Sequence, residues 1–283
     1  MIPAGFDYVR AGSVDEAVSA LAEHGDEAKV LAGGHSLLPL MKLRLAFPEV
    51  IVDLGRVEDL KGVREDGDTL VIGSMTTHHA VVHDELVRRH TPVLAQTTAT
   101  VGDPQVRHRG TIGGALAHGD AAGDLPAAVL ALDAELVAQG PNGRRSIPAA
   151  EFFVSFLETA LTHDEVLVEV RVPKLADGWS GHYEKFNRVA QAWAIVGSCA
   201  LVRRDNGEIA EARVALTNMG TVPVRATQTE QALAGAAADD IADAAALAAE
   251  DTDPPKDLNA HPDYRRHLAR VLTRRALERA ISG

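Results

Sequence analysis

The chain has 283 residues and a formal net charge of −12, with 46% hydrophobic and 4% aromatic residues. This length suits one large domain or two domains, whose cores must be filled mainly by Ala, Val and Leu because aromatic side chains are few. The negative charge disfavours a nucleic-acid-binding surface, which needs clustered Lys and Arg, so small molecules or other proteins are the expected partners.

Residues 1–55 are predicted to form a first unit of helices and strands. Ser13 and Glu16 have the spacing of a capping box, which indicates the start of a helix. Apolar residues at helical or strand spacing then predict a helix from Val14 that stops at Gly25, a strand over Ala28–Leu31, a short helix over Leu37–Lys42 and a strand over Val50–Leu54.

A glycine pair, Gly33–Gly34, follows the first of these strands, and His35–Ser36 come next. Glycines let a backbone approach a ligand closely, and the turn after them offers unpaired N–H donors. Thr111 with Gly113–Gly114 repeats the pattern far away in sequence. Each pair alone is most often an ordinary tight turn, but two such turns suit an extended ligand with two phosphates. Since the chain contains neither G-x-G-x-x-G nor G-x-x-x-x-G-K-[ST], we expect a dinucleotide site of neither Rossmann nor P-loop type.

Residues 56–175 are predicted to form a second, larger unit. Its expected elements are a strand around Leu70 and Ile72, helices over Thr77–Leu86, Thr91–Thr100 and Pro126–Leu132, strands over Ala134–Ala138 and Val166–Val172, and a hairpin turn at Pro141–Gly143. His79 and His83 share a helical face with a spacing that suits a metal. No third ligand is evident nearby in the sequence, so an exposed histidine pair is the favoured interpretation.

Residues 178–283 are predicted to form a third unit, reached through a linker at Ala176–Gly181. Its expected elements are strands over Tyr183–Phe186, Ala194–Arg203 and Ile209–Asn218, a hairpin turn at Arg204–Glu208, and helices over Thr227–Leu233, Ile241–Ala249 and His261–Ile281. The alanine-rich stretch Ala234–Ala249 is compatible with a helix. In the last helix an apolar stripe is expected to face the core, formed by Tyr264, Leu268, Val271, Leu272 and Ala276.

The chain has one cysteine, Cys199, which lies in an apolar run and is expected to be a small buried hydrophobe. One cysteine can form no intrachain disulfide and cannot supply the ligands of an iron–sulfur cluster. The sequence shows no apolar stretch long enough to span a bilayer and no charged-then-apolar N-terminus. We therefore expect a cytoplasmic protein without a membrane span, while peripheral association with a membrane stays open.

Two segments, Ala32–Leu54 and Arg109–Leu136, resemble the signature segments of the FAD-binding medium subunits of molybdenum hydroxylases. The similarity is strongest to the aerobic carbon monoxide dehydrogenase type, which is related to the FAD domain of xanthine dehydrogenase, and it continues through Phe152–Pro173 and Gly181–Ala200. The resemblance implies an α+β fold: a two-lobed, vanillyl-alcohol-oxidase-like FAD-binding domain with subdomains 1–55 and 56–175, then a smaller C-terminal α+β domain over 178–283, formed by a three-stranded sheet packed with helices.

The resemblance also implies a division of labour between subunits. A large subunit would hold a molybdenum–pterin centre, a small subunit two [2Fe–2S] clusters, and this chain an FAD that passes electrons to a quinone, oxygen or another acceptor, in an (αβγ)2 heterohexamer. The chain would then hold no catalytic residue and no metal. The substrate of such a complex stays open between carbon monoxide, a purine, an N-heterocycle and an aldehyde. Two alternatives are a self-contained FAD oxidase of the same fold and a cofactor-free assembly or binding protein.

The resemblance further implies which residues contact the cofactor. They are Ala32, Gly33, Gly34, His35, Ser36, Leu37, Val101, Thr111, Ile112, Gly113, Gly114, Ala115, His118, Asp120, Asp124, Leu161, Leu167, Lys185 and Trp193. The first candidates for the diphosphate are the backbone amides of residues 32–36 with the Ser36 hydroxyl, and those of residues 111–114 with the Thr111 hydroxyl. His35 would add a hydrogen-bond donor, or would simply be a polar residue at a helix start.

Other members of this set have a structural alternative. Asp124 would contact the adenosine-side hydroxyls or ring substituents of the cofactor, or would cap the helix that follows it. Lys185 would favour the anionic reduced flavin, or would be a surface lysine. Trp193 would stack on a flavin face, or would be buried in the core. Arg107 and Arg109 would add charge near the phosphates, or would be surface residues. Ala115 and Ala121 depart from the family pattern, which commonly has Asn or Ser and Pro there.

Overall fold

The computed structural model describes residues 2–237 and 241–282. The first part of the chain forms a parallel sheet in the order β1-β3-β2 with a helix against it. Its elements are β1 (Asp7–Arg10), α1 (Val14–His24), β2 (Ala28–Leu31), α2 (Leu37–Lys42) and β3 (Val50–Asp53). As predicted, α1 is capped by Ser13, whose hydroxyl accepts a hydrogen bond of 3.1 Å from the Glu16 amide. The Glu16 carboxylate in turn accepts from the Gly12 amide at 2.7 Å, so the start of α1 is satisfied locally.

The second part forms an antiparallel sheet in the order β4-β5-β10-β6-β7. Its elements are β4 (Val63–Asp66), β5 (Thr69–Gly73), α3 (His78–His83), α4 (Glu85–His90), α5 (Pro92–Ala99), α6 (Pro104–Arg109), α7 (Ile112–His118), α8 (Asp124–Ala131), β6 (Glu135–Gly140), β7 (Gly143–Pro148), α9 (Ala149–Phe152), β8 (Phe153–Ser155), β9 (Glu158–Thr159) and β10 (Val166–Pro173). Val166 and Val168 of β10 also belong to the core of the first sheet, so the two sheets share apolar contacts.

The helix predicted over Thr77–Leu86 is wrong in its extent, because the chain forms two helices there. Asp84 has extended backbone dihedrals and its carboxylate accepts hydrogen bonds from the amides of Leu86 and Val87 at 2.9 and 3.1 Å. A side chain that caps a new helix in this way ends the preceding one. The break between α3 and α4 is thus a local effect of one aspartate.

The third part forms an antiparallel sheet in the order β11-β12-β13-β14, with helices on one face. Its elements are β11 (Trp179–Phe186), β12 (Val196–Asp205), β13 (Glu208–Thr217), β14 (Val224–Arg225), α10 (Thr227–Leu233), α11 (Ile241–Ala246) and α12 (Pro262–Ser282). The hairpin between β12 and β13 turns at Asn206–Gly207, which have φ angles of 51° and 91°. These left-handed angles favour an Asn-Gly turn, as predicted.

Two details of this sheet correct the prediction. The linker expected over Ala176–Gly181 ends earlier, because Trp179 already pairs with Arg203 and starts β11. The expected three-stranded sheet has, within the described residues, the further strand β14, which pairs with the end of β13. A strand of two residues is too short to show a hydrophobic period. The 238–240 part of the alanine-rich stretch lies outside the described residues.

Helix α12 buries Leu268, Leu272 and Ala276 against the sheet, as the stripe predicts. Two members of the predicted stripe differ from that expectation: Val271 is half-buried and not part of this core, and 46% of the surface of Tyr264 is exposed. The position that faces the core in this turn is Arg265, whose guanidinium is fully buried and donates to the backbone oxygen of Ile195. A charged side chain can take a core position when its head group finds acceptors there.

Helix α8 lies between the second and third sheets and positions the site. Its apolar side chains pack in one core with Cys199 and Leu201 of β12, and its first residue, Asp124, lies against β11. The helix begins two residues before the predicted Pro126. Residues of the second and third parts of the chain therefore meet at the start of α8.

Candidate functional site

The two glycine turns are in direct contact. A Cβ atom added to Gly33 would lie 2.3 Å from the backbone oxygen of Arg109 and 2.7 Å from the Cα of Gly110. Gly34 has a φ of +78°, a conformation that side chains with a Cβ disfavour. Only a residue without a side chain lets the two backbones approach this closely, so the glycines predicted from sequence have a physical role where the segments meet.

A cavity of about 690 Å³ lies along this junction. Its volume is in the range of small-molecule and cofactor sites. It is lined by many of the predicted contact residues, namely Ala32, Gly33, Gly34, His35, Ser36, Leu37, Val101, Thr111, Gly114, Ala115, His118, Asp124, Leu161, Lys185 and Trp193. The structure thus brings together segments that are more than 150 residues apart in sequence.

The first turn offers hydrogen-bond donors to the cavity. Within residues 2–237 and 241–282, the backbone N–H groups of Gly33, Gly34, His35 and Ser36 have no acceptor. The backbone oxygens of Gly34 and Ser36, in contrast, accept from Leu38 and Leu40. Successive backbone N–H groups that are free to donate at a cavity wall suit an anionic ligand.

The second turn is built differently from the prediction. The amides of Ile112 and Gly113 donate to the backbone oxygens of Thr76 and Ser74 at 3.0 and 2.8 Å, and neither residue is among those that line the cavity. A Cβ atom on Gly113 would lie 2.4 Å from the Cβ of Ser74. The glycine therefore serves the packing of α7 on the segment after β5, and the amides of these two residues are occupied.

Thr111 keeps a donor for a ligand. Its Oγ1 accepts from the Gly114 amide at 3.1 Å and caps α7, and the O–H hydrogen remains available on the cavity side. The cap and the ligand contact use different parts of one hydroxyl. The structure is therefore compatible with both roles of Thr111.

We expect Thr111→Val to lower the free energy of unfolding by about 1 kcal/mol, because it removes the cap of α7. Thr111→Ser keeps the hydroxyl and should retain most of the stability. Urea denaturation of the full chain measures both. Equal loss in the two variants would contradict the capping role.

Asp120 and Leu167, also predicted as contacts, lie outside the cavity lining. The Asp120 carboxylate accepts from the Ala122 amide at 2.8 Å and stabilises the turn before α8. Leu167 is buried in the core of the second sheet, where it pairs with Ala138 of β6. Their side chains thus stabilise the walls of the site. Ala115 lines the cavity without offering a side-chain hydrogen bond.

A buried ion pair closes one part of the cavity. The Lys185 ammonium lies 2.7 Å from Oδ2 of Asp124 and donates to the backbone oxygen of Thr100 at 3.1 Å. Only 7% of the Lys185 side chain and 4% of that of Asp124 are exposed. The alternative of a surface lysine is therefore wrong. The alternative of a capping aspartate is wrong too, since α8 has no side-chain cap and Gly123 stands at its cap position.

Electrostatics in this pair are set by burial. Burial raises the pKa of the Asp124 carboxyl, while the Lys185 ammonium and hydrogen bonds from Lys185 and Tyr183 pull that pKa back down. The pKa of Tyr183 is raised well above its usual value, first by burial and then by the Asp124 charge. The Asp124 carboxylate therefore interacts with the Lys185 ammonium at the cavity wall and with the Tyr183 phenol behind it.

Trp193 lies at the exposed side of the cavity. Its side chain is 54% exposed, so the alternative of core burial is wrong. Its ring centroid lies 6.4 Å from that of His118. The neighbouring Gln191 also lines the cavity, and its amide donates to the carboxylate of Asp103 at the start of α6. The segment between β11 and β12 thereby borders the cavity and contacts the second part of the chain.

His78 is a lining residue that the sequence did not single out. It is 3% exposed, and its Nδ1 is buried without a hydrogen-bond partner among the described residues. Burial, and then electrostatic interaction with the neighbouring Arg107 and His35, lower its pKa to about 4. A neutral imidazole with a free ring nitrogen next to two glycine turns is a further polar group that a ligand can satisfy.

This histidine predicts a pH dependence of stability. Because its folded pKa of about 4 lies below the ordinary value of 6.5, the unfolded chain binds more protons as the pH falls below 6.5, and folding loses stability there. The loss between about pH 7 and pH 5 should be about 2 kcal/mol. His78→Asn should reduce the loss of stability over this pH range by about that amount, whereas the exposed His261→Asn should leave it unchanged. Urea midpoints at pH 7 and pH 5 measure this change in stability. An equal change in the His78→Asn and His261→Asn variants would contradict the role of His78.

The histidine pair His79 and His83, considered above as possible metal ligands, lies beside His108. The rings of His79 and His83 are 4.3 Å apart, and that of His108 stacks on His79 at 4.0 Å. Among the described residues there is no group of three side chains that could hold a metal ion. Arg109 is exposed, and Arg107 donates to the backbone oxygen of Val101 at 3.0 Å.

A segment before β10 completes the lining. Thr159, Thr162, His163 and Glu165 line the cavity, and Arg145 of β7 holds the segment by pairing with Glu165 at 2.7 Å. No motif marks these residues in the sequence, because long-range contacts such as the Arg145–Glu165 pair and the pairing of β8 with β9 place them at the site. Gly102, which has a φ of +52°, and Gly110 were equally missed, although isolated glycines near a glycine motif are a usable signal.

Taken together, the residues fit a dinucleotide. The cavity has a suitable volume, Gly33 leaves space that a Cβ would fill, four N–H groups lack acceptors, and the Nδ1 of His78 is unpaired within the described part of the chain. Residues 4–175 match the family model of the FAD binding domain in molybdopterin dehydrogenase, and residues 181–280 match that of the CO dehydrogenase flavoprotein C-terminal domain. The chain belongs to the FAD-binding medium subunits of the molybdenum hydroxylases.

Relatives of this family are similar over nearly the whole chain. The carbon monoxide dehydrogenase medium chain of Hydrogenophaga pseudoflava is 42% identical, with 99% of this chain and 98% of that protein covered. The 6-hydroxypseudooxynicotine dehydrogenase complex subunit alpha of Paenarthrobacter nicotinovorans is 37% identical, with 99% and 96% covered. A solved carbon monoxide dehydrogenase from Hydrogenophaga pseudoflava that lacks the Mo-pyranopterin moiety superposes with a TM-score of 0.97, at 43% identity and with 100% and 99% covered.

Family membership confirms several predictions. The cofactor of this medium subunit is FAD, and the chain is part of an oxidoreductase. The structural match confirms the α+β fold with a two-lobed FAD-binding domain and a smaller C-terminal domain. The alternative of a cofactor-free binding protein is therefore wrong. Among the described residues, no helix is both long and apolar enough to cross a membrane.

Proposed function

We propose that this medium subunit relays electrons from the [2Fe–2S] clusters of a small partner subunit through FAD to an external acceptor such as a quinone. A large molybdenum–pterin subunit would complete an (αβγ)2 assembly in the cytoplasm. The observation that carries the proposal is the cavity at the glycine turns, with its free N–H groups on one wall and the Asp124–Lys185 pair on another. The single Cys199 supports the division of labour, since this chain cannot ligate a cluster by itself.

Each wall of the cavity has a proposed task. The N–H groups of Gly33–Ser36 and the hydroxyl of Thr111 donate to the diphosphate. Lys185 places a positive charge beside the flavin, and Asp124 fixes the position of that charge. When bound, FAD accepts one electron at a time and delivers two, while the protein supplies orientation and electrostatics. Trp193 covers one face of the ring system and limits access of water to it.

The remaining residues predicted to contact the cofactor are proposed to define the shape of the cavity. Ala32, Leu37, Val101, Ala115, His118 and Leu161 line the cavity around these polar groups. Ile112, Gly113, Asp120 and Leu167 support its walls from behind. The domain boundaries 1–55, 56–175 and 178–283 remain a prediction. Substrate selection is assigned to another polypeptide, so carbon monoxide, a purine, an N-heterocycle and an aldehyde all stay candidates.

Affinity purification of the tagged full chain from its own cells tests the proposal. We expect co-purification of two further subunits, with about four iron atoms, one molybdenum and one FAD per chain. FAD without either metal would instead support a self-contained oxidase, the second candidate function. A preparation without FAD would contradict both.

Electron flow is tested on the same complex. It is mixed without oxygen with carbon monoxide, a purine, an N-heterocycle and an aldehyde in turn, and the flavin absorbance is followed. One of them should bleach the flavin, and a short-chain quinone or oxygen should restore the absorbance. Bleaching of the iron–sulfur bands with an unchanged flavin band would contradict the proposed order of transfer.

A further inference from the structure

Tyr183 lies directly behind the ion pair of the cavity. It is 4% exposed and stands on β11 two residues before Lys185, so both side chains point to the same face of that strand. Its hydroxyl donates to Oδ1 of Asp124 at 2.7 Å, while Lys185 occupies Oδ2. Tyr183 is not among the residues that line the cavity. Any effect on the cofactor must therefore pass through Asp124.

The direction of the hydrogen bonds follows from the donors available. An ionised carboxylate only accepts, so the one hydrogen of the phenol goes to Asp124. The Oγ1 of Thr217 lies 3.2 Å from the phenol oxygen and then donates to it. The chain of contacts runs from Thr217 to Tyr183 to Asp124, where it meets Lys185. Hydrogen bonds in such a chain strengthen one another in a low-dielectric environment.

The backbone makes room for this arrangement. A Cβ atom added to Gly197 of β12 would lie 2.3 Å from the Tyr183 hydroxyl and 2.9 Å from its Cζ. The side-chain-free position opposite the phenol lets the hydroxyl reach Asp124 across the junction of the second and third parts of the chain. The contact is thus supported by two neighbouring strands.

We propose that Tyr183 is a positioning residue, whose hydroxyl keeps the Asp124 carboxylate ionised and paired with Lys185 and so fixes the charge that the flavin meets. This inference rests on the proposed function, which places Lys185 beside the flavin. Asp124 lies in a buried site where its charged form is disfavoured, so each donor to it matters. Removal of the phenol oxygen would leave Oδ1 without that donor.

The groups that face Asp124 limit the alternatives. From β11 these are Tyr183 and Lys185, and from the end of α5 it is Thr100, whose side chain also lowers the pKa of Asp124. The uncharged Thr217 of β13 faces the Tyr183 hydroxyl behind the carboxylate. Cys199 of β12 lies near Tyr183, and its thiol stays neutral because burial raises its pKa to about 12. His118 lines the same cavity from α7, and burial lowers its pKa. Lys185, Tyr183 and Thr100 are therefore the residues whose side chains lower the proton affinity of Asp124.

The test is the midpoint potential of FAD in the purified complex as a function of pH. Reduction of FAD adds negative charge near Asp124. The plot of midpoint potential against pH therefore changes slope, which we call the bend, at the pH where Asp124 becomes protonated. Tyr183→Phe should move this bend upward by about one pH unit, because loss of one charge-assisted hydrogen bond changes the proton affinity of Asp124 at least about tenfold. Thr217→Val, which removes the donor to the phenol, should move the bend in the same direction by less.

Tyr264→Phe is the matched control, because this tyrosine lies in the same domain and is exposed. The bend for Tyr264→Phe should occur at the same pH as in the complex without substitutions. If Tyr183→Phe fails to assemble, the direction of the Thr217→Val shift decides. FAD-loaded Tyr183→Phe or Thr217→Val complexes with an unchanged profile would overturn the role of Tyr183 while leaving the proposed function intact. Absence of FAD from the complex without substitutions would overturn both the role of Tyr183 and the proposed function.

Discussion

Lys185→Met is expected to lower the free energy of unfolding of the chain by about 3–5 kcal/mol. The substitution keeps most of the side-chain volume but leaves the buried Asp124 carboxylate without its counterion, which lies 2.7 Å away. Protonation of Asp124 can relieve part of this penalty, so the loss should be smaller at low pH than at neutral pH. Urea denaturation of the full chain at two pH values measures both effects.

A surface pair provides the control. Lys61 lies 2.6 Å from Glu58, but 36% and 78% of these side chains are exposed. Lys61→Met should therefore cause no measurable change. A second variant, Lys185→Met with Asp124→Leu, removes both charges and should recover much of the lost stability. Equal stability of Lys185→Met and Lys61→Met would show that Lys185 does not neutralise a buried charge.

Gly33→Ala is expected to abolish most FAD binding, with an affinity loss of at least about 100-fold. The new methyl group would meet backbone atoms of Arg109 and Gly110, which cannot rotate away as a side chain can. One of the two turns must then move, and the free N–H groups of residues 33–36 move with it. Flavin absorbance per chain in the purified complex, and FAD titration of the stripped complex, measure the loss.

Gly5→Ala is the matched control for this substitution. A Cβ atom on Gly5 would meet nothing within 4 Å, and Gly5 is not among the glycines with a positive φ. It should retain full FAD content. Normal FAD content in Gly33→Ala would mean that the close contact of the two turns is not needed for the cofactor.

Local signals in the sequence were sufficient for many elements. Helix α2 has the predicted bounds Leu37–Lys42, and α1 begins after the predicted cap at Ser13. The Asn206–Gly207 turn likewise follows from two residues that tolerate left-handed dihedrals. In each case the cause lies within a few residues of the effect, so a single sequence can reveal it.

Features that depend on distant contacts were not predictable. Strand β14 exists because Val224 and Arg225 pair with the end of β13, and Tyr183 matters because a strand places it beside a helix start about 60 residues away in sequence. The second glycine turn is the instructive case. Its sequence repeats the first, yet Gly113 packs on Ser74 while Gly33 packs on the other turn. A motif identifies where backbones approach closely, and the fold decides what they approach.

The buried position of Cys199 in β12, flanked by β11 and β13, has a practical consequence. Thiol reagents react with the thiolate and must be able to reach it. In the intact sheet the pKa of the Cys199 thiol is about 12 and its side chain is fully buried, so neither condition is met. Labelling of the native chain therefore reports the rate at which the C-terminal sheet opens. The native Cys199 thiol can therefore serve as a probe of the rate at which these strands separate, without an engineered label site.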